Sequence, residues 1–239
     1  ATTTGNRNTA VGSCSLFANT TGTRNLALGH CSLRSNTEGA DNTAVGNVSL
    51  DANTTGVSNV AVGGNSLGSN TTGGDNSGVG CNALGANTTG CKNTAVGAFA
   101  LDTNTEGDEN VAVGRSTLTA NTTGERNTAV GVSALGTNTT GDFNVGIGHG
   151  ALELNTTADN NTAVGYQSLD ANTEGHSNVG VGKGSLSANT TADNNTAVGF
   201  NALADNTTGA DNTAVGNSAA TAITTGCQNV FIGREAGVT

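Results

Sequence analysis

Apolar and polar positions along this chain recur every 17 residues, without insertion or deletion. Asn8-Thr9-Ala10-Val11-Gly12 sets the pattern, and its Asn is met 14 times, the last at Asn229. Counting from that Asn, the second position is Thr, Val, Leu or Ser, the third is Ala or Gly until Phe231, the fourth is Val, Leu or Ile, and the fifth is always Gly. Alternation of β-branched with small residues predicts a short strand with two unlike faces. Val11, Leu28 and Val45 lie on one face, Ala10, Ala27 and Ala44 on the other. A face restricted to Ala and Gly implies that another backbone comes close. The two candidates are the opposite wall of a flat coil and a neighbouring chain, and the expectation leans to the neighbouring chain.

The eighth and ninth positions form a second apolar pair, Ser15-Leu16, Ser32-Leu33 and Ser49-Leu50 in the first three repeats. Its Leu is the largest regular candidate for a core column. The twelfth to fifteenth positions read Asn-Thr-Thr-Gly, as at Asn19-Thr20-Thr21-Gly22, which is turn chemistry. A fixed short period kept in phase is the mark of a solenoid, whose coils bury their apolar faces only by stacking. The predicted fold is therefore all-β, a parallel β-solenoid (β-roll or β-helix) of 14 coils with a 17-residue repeat. No linker or composition shift interrupts residues 1–239, which read as a single repeat domain. At about 4.8 Å per coil the predicted rod is about 65 Å long. From about residue 217 to 239 the pattern changes, with Ala220 for Leu, Ile223 for Asn, Phe231 for Ala and Gly237 for Leu. This variant coil is expected to act as a cap or a joint. Because the ends share a phase, Ala1, Thr2, Phe231 and Val238 are candidate residues of a head-to-tail subunit joint.

Two Asn columns stand out: Asn8, Asn25 and Asn42 continue at the first position, and Asn19, Asn36 and Asn53 at the twelfth. Stacked amides bond along a solenoid axis, so both columns are predicted structural ladders, beside those of Val11 and of Leu16, Leu33 and Leu50. The rival reading is glycosylation, since Asn19, Asn53 and Asn70 begin Asn-Thr-Thr acceptor sequences. Asn36, Asn104 and Asn172 precede Thr-Glu instead, keeping the Asn without the acceptor. A structural need explains both sets.

Composition narrows the function classes. The chain has 37 Gly, no Trp and a net charge of −10, with only eight basic residues and no basic patch, so nucleic acid is not an expected partner. No run of about 18 apolar residues provides a membrane span. Among five Cys, Cys14 and Cys31 occupy the seventh position of successive coils, a separation that suits a disulfide. No metal site, cofactor or catalytic constellation is expected. His30 and His149 share the sixth position seven coils apart, and the Asp142 and Asp159 corner reads as solvated rather than as a calcium site.

The Asn-Thr-Ala-Val-Gly strand, with Ala/Ser-Leu and Asn-Thr-Thr-Gly, resembles the head repeats of trimeric autotransporter adhesins and related repeats in phage tail fibres and bacterial fibre-like surface proteins. That resemblance implies an extracellular or cell- or virion-surface module, non-catalytic, whose outer surface binds matrix or host. The 17-residue period is longer than the adhesin-head repeat, so no binding residue carries over. The leading expectation is a structural or adhesive fibre subunit that associates with itself through its ends or sides, with extracellular matrix, a host surface or glycans as further partners. The alternatives are an ice-binding solenoid using the Thr20, Thr37 and Thr54 column and, less favoured, a polysaccharide-active β-helix enzyme.

Overall fold

The computed structural model describes residues 3–238. They form 14 three-residue strands at 17-residue intervals, and the fold is a parallel β-solenoid. The chain divides after Thr123 into two compact units. The first holds β1 (Thr9–Val11) to β7 (Val111–Val113), and the second holds β8 (Thr128–Val130) to β14 (Val230–Ile232). The division falls inside an Asn-Thr-Thr-Gly turn, at a point the sequence does not distinguish from any other coil. Within each unit the register never slips: Ala10 pairs with Ala27, and Ala27 with Ala44. No helix among the described residues is long and apolar enough to cross a membrane.

Which strand face lies inside is decided by the thinness of the coil. Ala27, Ala44 and Ala61 are fully buried, and the Leu column from Leu33 to Leu203 is buried with them. A Cβ built on Gly78, which takes the place of Ala, would lie 3.1 Å from the carbonyl oxygen of Ala83 and 3.5 Å from Leu67 Cγ. The close backbone is thus the coil's own opposite wall, and the expected neighbouring chain does not fill that role. The Val column correspondingly belongs to the surface: Val11, Val62 and Val113 are exposed. The core is a column of Leu facing a column of Ala.

Inter-coil hydrogen bonds run around the whole coil. Leu33 N–H donates to Ser49 O (3.0 Å), while Thr37, Glu38 and Gly39 N–H all converge on Thr54 O (3.0, 3.1 and 3.2 Å). Corners that permit this ladder put the seventh, ninth and seventeenth positions in the left-handed backbone region. Leu33, Leu50 and Leu101 sit at φ 51°, 49° and 52°. A side-chain-bearing residue pays about 1–2 kcal/mol for that conformation, and burying its Leu side chain returns about 1.5–3 kcal/mol. The ninth position is therefore near balance on its own, and the shared backbone ladder tips it toward the fold.

The fifth-position Gly is dictated by the neighbouring coil. Gly97 has φ 137°, and a Cβ on it would stand 2.6 Å from the carbonyl carbon of Gly114. That contact recurs between stacked coils of each unit, as at Gly46 and Gly165, whereas at Gly233 nothing lies within 4 Å and the positive φ of 123° alone favours Gly.

Candidate functional site

Both Asn columns are buried ladders with different geometries. In the first-position column, Asn42 Nδ2 donates to Gly56 O (2.8 Å), and its Oδ1 accepts from Asn59 N–H (3.0 Å). Asn8 and Asn25 repeat the arrangement on Gly22 and Gly39. The twelfth-position column bonds amide to amide: Asn36 Nδ2 reaches Asn19 Oδ1 (3.0 Å), and Asn53 Nδ2 reaches Asn36 Oδ1 (2.8 Å). Each of these also donates to the Gly carbonyl three residues on, so both columns converge on one oxygen per coil, as Asn25 and Asn36 do on Gly39. Asn53, Asn70 and Asn87 have no exposed surface, and their Nδ2 groups are already committed. The folded coil closes these acceptor sequences to glycan transfer.

The Thr20 column is occupied in a similar way. Thr20, Thr37 and Thr54 Oγ1 donate to the carbonyl oxygens of Thr37, Thr54 and Thr71 (2.9, 3.2 and 3.0 Å). These hydroxyls serve the ladder rather than an outer face.

The surface that remains is the outward strand face, built from the second and fourth positions of every coil. In the first unit it presents Thr43-Val45, Val60-Val62, Thr94-Val96 and Val111-Val113, and in the second Val145-Ile147 and Thr196-Val198. No residue on this face is charged in any coil, although the chain has 26 acidic and basic residues. Val79 and Val96 are still 39% and 40% exposed with neighbours stacked on both sides. A regular apolar stripe of this kind is what soluble surfaces otherwise avoid.

Charge is confined to the corners. Asp108, Asp142 and Asp193, at the sixteenth position, accept backbone N–H bonds from Cys91, Glu125 and His176 of the preceding coil (2.6, 2.7 and 2.6 Å). His176 Nδ1 takes the same role toward Asp159 N–H (2.9 Å). These carboxylates complete the ladder, and no group of three His, Cys, Asp or Glu suited to a metal occurs among the described residues. His30 contacts Asn47, whereas His149 stacks on Tyr166 with ring centroids 5.5 Å apart. Arg24 makes a two-bond pair with Asp41 and holds its carboxyl below the usual range.

Cys14 and Cys31 do occupy one corner of adjacent coils, yet both are free thiols, as are Cys81, Cys91 and Cys227. The expected Cys14–Cys31 bridge is not formed. Burial pushes the Cys31 thiol up, and the neighbouring Cys14 adds to the effect. Of the candidate joint residues, Ala1 and Thr2 lie outside the described residues. Phe231 turns inward, where a Cβ on Gly237 would collide with its ring, so it fills the space left by the missing Leu. Val238 is exposed.

No protein-family model, curated protein or solved structure matches the chain.

Proposed function

We propose that this protein is a non-catalytic structural and adhesive module of an extracellular fibre or surface layer, whose copies associate side by side through the outward strand face. The observation that carries the reading is the uncharged Thr/Val column, repeated in register within each unit. A second copy suits this face better than a charged partner does. It offers the same flat apolar stripe under a two-fold operation, which is the self-complementarity that isologous contacts require. With a net charge of −10, copies repel elsewhere on their surfaces, and the repulsion is short-ranged at physiological salt. The resemblance to adhesin-head and tail-fibre repeats supports the same reading.

The test is the solution mass by light scattering, at rising concentration, of the native chain and of a Val96→Lys, Val113→Lys variant. The native chain is expected to exceed the mass of one chain, and the variant to remain at it with an unchanged circular-dichroism spectrum. A native chain of single-chain mass throughout would refute the proposal. Ice binding is the second reading, favoured now by the outward Thr94-Val96 and Thr196-Val198 pairs rather than by the Thr20 column. Thermal hysteresis that survives in the native chain and is lost in the same double variant would decide for it.

A further inference from the structure

The second unit carries a feature that its neighbours lack. At the sixth position, His149, Tyr166, Lys183 and Phe200 stack in successive coils, with the Lys183 ammonium 5.7 Å from both the Tyr166 and Phe200 ring centroids. The seventh and tenth positions beside this stack hold Gly184, Ser187 and Ala204. Elsewhere the same two columns bear Phe17, Arg34, Phe99 and Glu153, or small residues such as Gly68, Gly85 and Gly136 with no aromatic or Lys side chain at the sixth position of their coil. Small residues next to a tall stack leave an open groove of about 380 Å3, lined by Tyr166, Asp170, Lys183, Ser187, Asn201 and Asp205 among others. That volume falls in the range of small-molecule sites, about 300–1,000 Å3.

We infer that this groove is a binding site for a neutral, hydroxyl-rich ligand, a short oligosaccharide by chemical class. It gives the adhesive half of the proposed function its ligand. Charge selects the class. Asp170 and Asp205 disfavour an anion, while Lys183, which no ion pair among the described residues holds, disfavours a cation. What the lining offers instead is a set of groups that pair with hydroxyls: two carboxylates as acceptors, an ammonium as donor, the Asn201 amide as both, and the Ser187 hydroxyl, which itself donates to Ala204 O (3.4 Å), as an acceptor. Burial, with Glu153 adding to it, pushes the Asp170 carboxyl up, while the backbone N–H groups of Asp170 and Ala171 act the other way. Its Oδ1 is buried below the groove surface, so a ligand hydroxyl would be donated to the other carboxylate oxygen. The wall is preorganised by the cation–π contacts of Lys183, and the Asn201 amide lies over Gly184, where a Cβ would stand 2.5 Å from its Oδ1.

The experiment titrates the full chain, by calorimetry, with maltotriose, cellotriose, mannotriose and chitotriose, using sialyllactose and a heparin tetrasaccharide as charged comparisons. Ser187→Phe fills the groove with a side chain that Phe17 already places at the same position, and Asn201→Ala removes the amide. At least one neutral trisaccharide is expected to bind saturably, and both variants to weaken it about tenfold or more. Absence of saturable binding by every neutral probe at millimolar concentration overturns the inference, as does equal binding by Ser187→Phe or binding by the charged probes alone. Light scattering on the same samples keeps this outcome separate from self-association: an intact assembly without sugar binding fails this inference only.

Discussion

Replacing Asn87 by Asp changes one nitrogen to oxygen inside a fully buried column and leaves the shape of the side chain untouched. In the native chain Asn87 Nδ2 donates to Asn70 Oδ1 (2.8 Å) and Gly90 O (2.9 Å), and its Oδ1 accepts from Asn104 Nδ2 (2.9 Å). The substituted carboxylate faces two acceptors and satisfies neither. Gly90 O keeps its bond from Asn76 Nδ2 (2.8 Å), so the heavier loss falls on Asn70 Oδ1. Two disrupted buried groups at about 1–3 kcal/mol each give a cost of about 2–6 kcal/mol. The pH dependence separates this cause from simple misfit. An Asp among acceptors has its folded pKa raised above the unfolded value of about 3.9, and the neutral acid donates one hydrogen bond again. The penalty is therefore largest above the folded pKa and shrinks as pH falls through it toward the unfolded value. Urea unfolding at about pH 7 and about pH 4, with native-chain controls, measures both parts. Hydrogen exchange should localise lost protection to the coils between Asn70 and Asn104. A deficit under about 0.5 kcal/mol, or one of equal size at both pH values, would refute the ladder geometry.

Leu101→Ala, in the buried column, should cost about 2–5 kcal/mol in urea unfolding, because the facing Ala column is too small to collapse into the cavity. Gly97→Ala should unfold the coils around it, whereas Gly64→Ala, whose Cβ meets nothing within 4 Å, should leave the melting temperature near that of the native chain. Mass spectrometry of chain purified folded from a glycosylating host should find Asn53, Asn70 and Asn87 unmodified. Burial is the leading cause that raises the Asp102 carboxyl, so ionising it opposes folding. Asp102→Asn should stabilise the chain at neutral pH, and the gain should fade as pH falls through the raised folded pKa to the ordinary carboxylate value.

The repeat, the strand and the Leu column were legible in the sequence because each follows from periodicity. Alternation at Thr9-Ala10-Val11 reveals two faces but not which one is inside; size alone would place Val11 in the core. The answer depends on how near the opposite wall lies, and Gly78 against Ala83 measures that distance. Left-handed Leu33 and Leu50 were hidden for a related reason, since the conformation is unfavourable for Leu until stacked coils supply the ladder and the burial. Asp142 and Asp193 look like solvated corner charges until the unpaired N–H of the coil before them is located. Small residues at Gly184, Ser187 and Ala204 pass as ordinary variation along the chain, and they acquire meaning only beside the stack of Tyr166, Lys183 and Phe200.

Side-by-side association through the strand face is tested most directly by a single cysteine placed on it. In a chain whose five native Cys are replaced by Ser, Val96→Cys is oxidised and compared with a cysteine at the exposed corner residue Thr72. Val96→Cys should give a covalent dimer in high yield at concentrations where Thr72→Cys remains monomeric. Equal yields from the two positions, or no dimer from Val96→Cys, would contradict the assembly proposed here.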